Sequence, residues 1–150
     1  MIRFSKMADY GVLILGHFGR NEDLQASSSE LAEAFHMPKT VVANLLKAFR
    51  EAGFLSSRRG LHGGYRLVRS PESISLLDIL KAIDGPVQLT DCALEGIRGA
   101  GTQDTCDYED VCGSRSPMQA VNHKILKLLD DTHLAQLMSE NPSHTLPSKH

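Results

Sequence analysis

Apolar residues recur at steps of three and four along most of the first fifty positions, the spacing that gathers them on one face of an α-helix. The pattern predicts a helix over residues 5–18, a short second helix that stops before Pro38, and a third helix from Pro38 to Gly53. Ser27-Ser28-Ser29-Glu30 has the sequence of a capping box and marks the start of the second helix. The second and third helices are therefore expected to meet in a tight turn.

The periodicity shortens to two after the third helix. Residues 55–58 and 65–69 are predicted as short strands, and the glycine-rich stretch 60–64 between them predicts a hairpin turn. Ser75-Leu76-Leu77-Asp78 is predicted as a second capping box and opens a short helix that ends at Gly85-Pro86. These elements predict a mainly α fold with one small β-hairpin.

A longer helix is predicted over residues 116–140, where Met118, Val121, Ile125 and Leu128 recur at steps of three and four. Such an apolar stripe requires a partner surface, and we interpret this segment as a dimerisation helix. Residues 141–150 contain two prolines and no periodicity, and they are predicted to form a flexible tail.

The order of the elements is typical of a winged helix-turn-helix. In that layout the second helix of the motif enters the major groove of DNA, and the hairpin lies against the backbone or the minor groove. The chain then divides into a winged helix-turn-helix domain (residues 1–84), a cysteine-bearing loop (85–115), the dimerisation helix (116–140) and the tail.

Charge is distributed unevenly along the chain, although the formal net charge is only −2. Residues 1–70 carry ten basic and six acidic side chains, whereas residues 71–150 carry six basic and twelve acidic ones. The basic half suits a phosphate backbone, and the acidic half does not. No apolar run is long enough to span a bilayer, so the sequence predicts a cytoplasmic protein without membrane contact.

Candidate DNA contacts lie on the exposed side of the third helix and on the hairpin. Polar residues of that helix can reach base edges and phosphates that its buried valines and leucines cannot. The hairpin arginines, Arg69 included, can meet phosphates, and paired glycines allow a close backbone approach. With two basic residues near the start of the chain, the candidates are Arg3, Lys6, Lys39, Thr40, Asn44, Lys47, Arg58, Arg59, His62, Gly63, Gly64 and Arg66.

All three cysteines, Cys92, Cys106 and Cys112, lie in one glycine- and acid-rich stretch. Three thiolates in a pliable loop can bind zinc, an iron–sulfur cluster or no metal. Zinc sites are often built from closely spaced cysteine pairs, which this stretch lacks, so the spacing favours a cluster; free redox-active thiols are the alternative. The fourth ligand is open among Asp9 of a second copy and, nearer the cysteines, Asp91, Glu109, Asp110 and His123.

Two stretches of the chain resemble the Rrf2 family of bacterial repressors. They are residues 1–11, MIRFSKMADYG, and residues 53–67, GFLSSRRGLHGGYRL. The resemblance runs from residue 1 to about residue 140, and the hairpin motif R-G-x-x-G-G-Y is its specific part. Within the family, residues 85–92 and 112–116 look most like the regulator of the SUF iron–sulfur assembly operon.

The resemblance implies a homodimer that holds an iron–sulfur cluster through Cys92, Cys106 and Cys112 and changes its DNA affinity with the state of the cluster. The [2Fe-2S] form is favoured slightly over [4Fe-4S]. NsrR-like members use an aspartate of the partner's first helix as fourth ligand, and Asp9 matches it. The histidine of IscR-like members is replaced here by Arg115.

The sequence therefore predicts an iron–sulfur-cluster-sensing homodimeric repressor of iron–sulfur assembly genes that binds a double-stranded DNA operator. The alternative is a metal- or cluster-holding interaction protein that docks through its long helix and binds no operator. An enzyme is not expected, because the sequence has no nucleophile with a nearby base and no phosphate-cradling loop at the start of a helix.

Overall fold

The computed structural model describes residues 4–21, 24–60, 63–88, 113 and 115–139. In these ranges the elements are, in chain order, α1 (Lys6–Gly19), α2 (Ser28–Ala34), α3 (Lys39–Glu51), β1 (Leu55–Arg58), β2 (Gly64–Leu67), a 3-10 turn (Pro71–Ser73), α4 (Leu76–Asp84), α5 (Arg115–Asp131) and α6 (Leu134–Ser139). The mainly α fold with a small hairpin is confirmed. Arg3, His62, the three cysteines and the predicted tail lie outside the described residues.

Serine side chains cap two helices at the positions that the sequence indicates. The Ser27 hydroxyl accepts a hydrogen bond from the Glu30 N–H at 3.2 Å, and the Glu30 carboxylate accepts one from the Ser27 N–H at 2.8 Å. This capping box is confirmed. At α4, the Ser75 hydroxyl accepts from the Asp78 N–H at 3.0 Å, while the Asp78 carboxylate lies 3.8 Å from the Arg69 guanidinium.

One hydrophobic core joins α1, α2 and α3 to the hairpin and α4. Gly11 lets α1 approach α3 closely, because a Cβ at this position would lie 3.0 Å from the Phe49 ring and would collide with Ile83. Full burial of a leucine or phenylalanine contributes about 1.5–3 kcal/mol, so this core holds the first four helices together. Its largest fully buried side chains are Ile14, Leu15, Phe18, Leu31, Val42, Leu45, Leu46, Phe49, Ile74, Ile79 and Leu134.

The C-terminal region differs from the single helix predicted over residues 116–140. α5 ends at Asp131, and α6 starts at Leu134. Between them, the Leu76 N–H donates to the Thr132 carbonyl at 2.7 Å and the Leu134 N–H donates to the Ile74 carbonyl at 2.9 Å. These bonds to the start of α4 replace helical ones, and the buried Leu134 turns α6 back onto α1. The prediction extended one helix across the polar residues 130–133, because periodicity within a segment carries no information about hydrogen bonds to a distant part of the chain.

α5 packs along α4 on one side and is open on the other. Leu128 is 66% exposed and Val121 is 43% exposed, although both belong to the predicted apolar stripe. None of the helices in the described ranges is long and apolar enough to cross a membrane. The packed side forms a second, smaller apolar cluster of Ala8, Leu77, Leu80 and Leu129, with Ile125 and Leu126 beside it.

Candidate nucleic-acid interface

α3 is amphipathic, and its outer side carries the polar residues that the sequence analysis singled out. Lys47 Nζ lies 3.9 Å from Glu51 Oε1, but both side chains are largely exposed. A surface pair of this kind contributes little and leaves the lysine able to meet another anion. The inner side packs into the core through Val42, Leu45, Leu46 and Phe49, whereas the outer side exposes Lys39, Thr40, Asn44 and Lys47.

The turn between α2 and α3 fixes the angle of this surface. The Met37 N–H donates to the Ala32 carbonyl at 3.0 Å, and the Met37 side chain is buried in the core. His36 has a φ of 51°, in the left-handed region that most residues avoid and histidine enters more readily than most. The two helices thus form the predicted helix-turn-helix, with a strained residue at its corner.

The hairpin presents a polar face to solvent. Ser56 lies opposite Arg66 in the antiparallel pair, and Arg58 lies opposite Gly64. Because side chains alternate across a strand, Ser56, Arg58 and Arg66 share one face. The Arg66 Nε donates to the Ser56 hydroxyl at 3.4 Å, which holds this guanidinium over the strand pair.

The tip of the hairpin requires glycine for reasons internal to the protein. A Cβ at Gly63 would collide with the carbonyl of Arg58, and a Cβ at Gly64 would lie 2.9 Å from the Ala26 carbonyl. The Gly63 N–H donates to the Gly60 carbonyl at 2.9 Å. Close packing thus accounts for both glycines, and their approach to a phosphate stays a prediction. Exposed Arg59 stands next to this tip.

Arg69 differs from the other hairpin arginines. Its guanidinium lies 5.5 Å from the centroid of the Phe54 ring and 3.8 Å from Asp78, and it donates to the Ser73 carbonyl. Arg69 therefore ties the end of the hairpin to the 3-10 turn and α4. A phosphate contact of Arg69 stays a prediction, and the structure adds a role for this residue within the fold.

A short segment before α2 extends the hairpin on its outer edge. The Ala26 N–H donates to the Tyr65 carbonyl at 3.1 Å, and the Tyr65 N–H donates to the Ala26 carbonyl at 2.8 Å. Ala26 and Tyr65 pack against the core, so the neighbouring Gln25 lies on the solvent face with Arg66. These residues surround a hollow of about 300 Å³, the wing hollow, lined by Gln25, Ser56, Ser57, Arg58, Gly64 and Arg66.

Sequence reasoning did not single out Gln25 or Ser56. A lone glutamine before an alanine has no motif, and its place beside the hairpin depends on the bridge between Ala26 and Tyr65, which lie far apart in the chain. Lys6, by contrast, was singled out and lies on another element. It starts α1, 5.7 Å from the Tyr10 ring, and the preceding Ser5 donates to the Asp84 carboxylate at the end of α4.

Asp9 is exposed in the first turn of α1 and borders an apolar groove of about 350 Å³. Phe4 is 45% exposed and Leu13 is 41% exposed on the walls of this groove. The described residues contain no group of three or more histidine, cysteine, aspartate or glutamate side chains able to hold a metal ion. The other walls of the groove are Ala8, Val12, Leu76, Leu80 and Leu137.

Comparison with known proteins agrees with the winged-helix geometry. The family model for Rrf2, described as an iron-dependent transcriptional regulator, matches residues 4–140. The chain belongs to the Rrf2 family. An rrf2-like HTH-type transcriptional regulator of Rhodobacter capsulatus is 29% identical over 143 residues, which cover 94% of each chain. The chain is therefore an Rrf2-family transcriptional regulator with a winged-helix fold.

Solved structures share that fold. CymR, the global cysteine regulator of B. subtilis, superposes with a TM-score of 0.69 at 23% identity, over 93% of this chain and 98% of its own. IscR of T. potens superposes with a TM-score of 0.61 at 23% identity, over 98% of this chain and 94% of its own. At 23% sequence identity, the similarity to these two structures shows a shared fold and nothing more.

Proposed function

We propose that the chain is a homodimeric repressor of iron–sulfur cluster assembly genes, whose operator affinity depends on an iron–sulfur cluster. The observation that carries the DNA-binding part is the outer side of α3, where Lys39, Thr40, Asn44 and Lys47 are exposed together. Thr40 and Asn44 can read base edges, whereas the two lysines meet phosphates. α3 is accordingly the helix that enters the major groove.

The hairpin complements α3 with charge. Arg58, Arg59 and Arg66 are all exposed. The ion pairs described in the structure involve Lys47, Arg69 and Lys127 and none of these three arginines. Each phosphate that an arginine neutralises releases counterions, so the affinity falls with salt. The two surfaces together fit a groove and its flanking backbone.

Dimerisation is supported by the open side of α5. Val121 and Leu128 lie about two helical turns apart on one exposed face, and an exposed apolar patch marks an interaction surface. A two-fold dimer would present two copies of α3 to a near-palindromic operator, because operator symmetry mirrors protein symmetry. The groove beside Asp9, with its exposed Phe4 and Leu13, would be covered in the same assembly.

The available donor set suits an iron–sulfur cluster. Three thiolates, from Cys92, Cys106 and Cys112, and one carboxylate from Asp9 of a second copy provide the four donors that such clusters take. Asp9 is exposed beside an apolar groove, so its carboxylate is accessible to a second subunit that covers the groove. When bound, a cluster supplies redox-active iron whose loss or oxidation serves as a signal.

The scaffold joins this donor set to the DNA-binding surface. Ala8, next to Asp9, packs in one cluster with Leu80 of α4 and Leu129 of α5. α4 and α5 flank the chain segment that carries the cysteines, and α4 also packs on α3. Any shift of α1 and α4 relative to α5 therefore alters the position of α3. That coupling is the route by which the proposed sensor segment would act on operator affinity.

The cluster proposal is tested on protein purified without oxygen, by absorption spectroscopy with iron and sulfide analysis. We expect visible charge-transfer bands with matched iron and sulfide, lost in Cys106→Ala and weakened in Asp9→Ala. Asp78→Ala is the control, because this carboxylate pairs with Arg69 and lies outside the donor set. A colourless wild-type protein after reconstitution with iron and sulfide would contradict the proposal and leave a regulator without a cluster.

DNA binding is tested by titrating a labelled duplex from upstream of the protein's own gene. Substitution of Thr40 or Asn44 by Ala should lower affinity for this duplex by about 1–3 kcal/mol per base contact, while binding to random duplex changes little. A protein that binds no duplex would favour the interaction protein without an operator. A uniform loss on both duplexes would demote the two residues to backbone contacts.

A further inference from the structure

We infer that the wing hollow binds one phosphate of the DNA backbone in each half-site, and that Gln25 takes part in it. The inference rests on the proposed DNA binding and adds a site that includes a residue outside both the recognition helix and the hairpin. The hollow is bounded on one side by β1 and β2 and on the other by the segment that bridges Ala26 to Tyr65.

The hollow exists because Gly64 has no side chain. Gly64 stands opposite Arg58 and two residues before Arg66, on the face of the hairpin that the two arginines share, so a side chain here would extend beside them. A Cβ on Gly64 would also lie 2.9 Å from the backbone of Ala26 and 3.2 Å from Gln25 Cγ. The same substitution would therefore occupy the hollow and push the outer segment away.

The walls of the hollow are built from hydrogen-bond donors. Two guanidinium groups, the side-chain amide of Gln25 and the Ser56 hydroxyl can all donate, and the six lining residues include no carboxylate. A phosphodiester carries one negative charge on two acceptor oxygens, so arginine binds it strongly and hydroxyl or amide groups complete its hydrogen bonds. The Ser56 hydroxyl accepts from Arg66 Nε, which leaves the terminal guanidinium nitrogens of Arg66 to face the phosphate.

Gln25 would allow a bound phosphate to connect two separate parts of the fold. It comes from the connection between α1 and α2, whereas both arginines come from the hairpin. A phosphate held between them would fix the hairpin relative to the helix-turn-helix on the DNA. Backbone contacts of this kind set the register of a protein on its site without reading sequence.

The test replaces single phosphates by neutral methylphosphonates along one strand of the upstream duplex and measures affinity by fluorescence anisotropy. Wild-type protein should lose affinity roughly tenfold at one linkage in each half-site, the scale of a charge-assisted contact. The Arg58→Gln and Arg66→Gln double variant should be insensitive at that linkage. Each arginine substitution should also flatten the slope of log affinity against log salt by about one unit per half-site.

The variant Gln25→Ala distinguishes a phosphate site in the wing hollow from a hairpin that contributes only positive charge. We expect it to weaken binding roughly threefold, equally on specific and random duplexes, with the salt slope unchanged because no charge is lost. Lys81→Gln is the control, since Lys81 is exposed on α4 and lies outside the hollow. This variant should keep the wild-type sensitivity at every linkage.

Two results would overturn the inference in distinguishable ways. If the double arginine variant still binds DNA and keeps the wild-type sensitivity at every linkage, the hollow does not hold a phosphate and the proposed function survives. If the wild-type protein binds no duplex, the proposed function fails and the inference fails with it. Circular dichroism of each variant checks that the exposed substitutions leave the fold intact.

Discussion

α3 of the winged-helix region and α5 differ in how far they bury their apolar side chains. In α3, Leu46 and Phe49 are fully buried in a core shared with α1 and the hairpin, whereas Leu128 of α5 is two-thirds exposed. A helix whose apolar side is buried is satisfied within one chain, and a helix with leucine and valine on an open side is not. The apolar side of α3 is therefore buried within one chain, whereas α5 leaves part of its apolar stripe exposed, as the proposed dimer requires.

The same chemical change in the two regions should have very different effects. Leu46→Ala removes a fully buried side chain and should cost about 2–5 kcal/mol of unfolding free energy at any protein concentration. Leu128→Ala should cost less than about 0.5 kcal/mol at low concentration, as exposed substitutions do. Urea unfolding at several protein concentrations measures both.

The dependence of destabilisation on protein concentration distinguishes the two substitutions further. A dimer stabilises the folded chain by mass action, so the effect of Leu128→Ala should grow as the concentration rises. The effect of Leu46→Ala should stay constant. Equal, concentration-independent effects for the two variants would show that α5 buries its stripe within one chain.

A charge on the open side of α5 should break the dimer. Leu128→Glu places a carboxylate in the proposed interface, where burial of an unpaired charge costs several kcal/mol, and should lower self-association at least tenfold in sedimentation equilibrium. Val68→Glu is the matched control, because Val68 is a 51% exposed apolar residue of the winged-helix region. Equal self-association of the two variants would place the dimer interface elsewhere.

The smallest expected effect lies where α6 returns to the winged-helix region. Burial, and then the charge of Arg20, lower the pKa of His17, whose ring stands 5.5 Å from that of Phe35. The unfolded chain then binds a proton that the folded chain resists. This contribution to stability is fully present above about pH 6.5 and is lost as the pH falls toward the lowered pKa.

The variant His17→Gln has no such proton to bind. We expect the stability difference between the variant and the parent to shift in favour of the variant when the pH is lowered from 7.5 to 5, because only the parent loses stability as His17 resists protonation in the folded chain. Thermal unfolding at the two values measures it. A difference that does not change with pH would contradict the assignment to His17.

Most of the fold could be predicted because its signals are local. The capping box at Ser27 and Glu30 and the apolar spacing of α3 each lie within a few residues of the structure that they specify. The break between α5 and α6 was missed because Thr132 and Leu134 bond to residues near position 75, far away in the chain. Periodicity within a helix carries no information about such a contact.

The candidate site divides in the same way. Lys39 and Asn44 follow from helix geometry alone, since the buried side of α3 fixes the exposed one. The role of Arg69 within the fold was not predicted, because its partners, Phe54 and Asp78, lie on other elements. Gln25 carried no signal at all, because only the bridge between Ala26 and Tyr65 brings it to the hairpin.

Cluster-dependent operator binding is tested most directly by one titration of the upstream duplex with two preparations of the same protein. One preparation is purified without oxygen and reconstituted with iron and sulfide, and the other is stripped by a chelator. We expect their affinities to differ at least tenfold, which lies within the usual range of coupling between two sites, and we expect Cys106→Ala to abolish the difference. Identical affinities of the two preparations would contradict it.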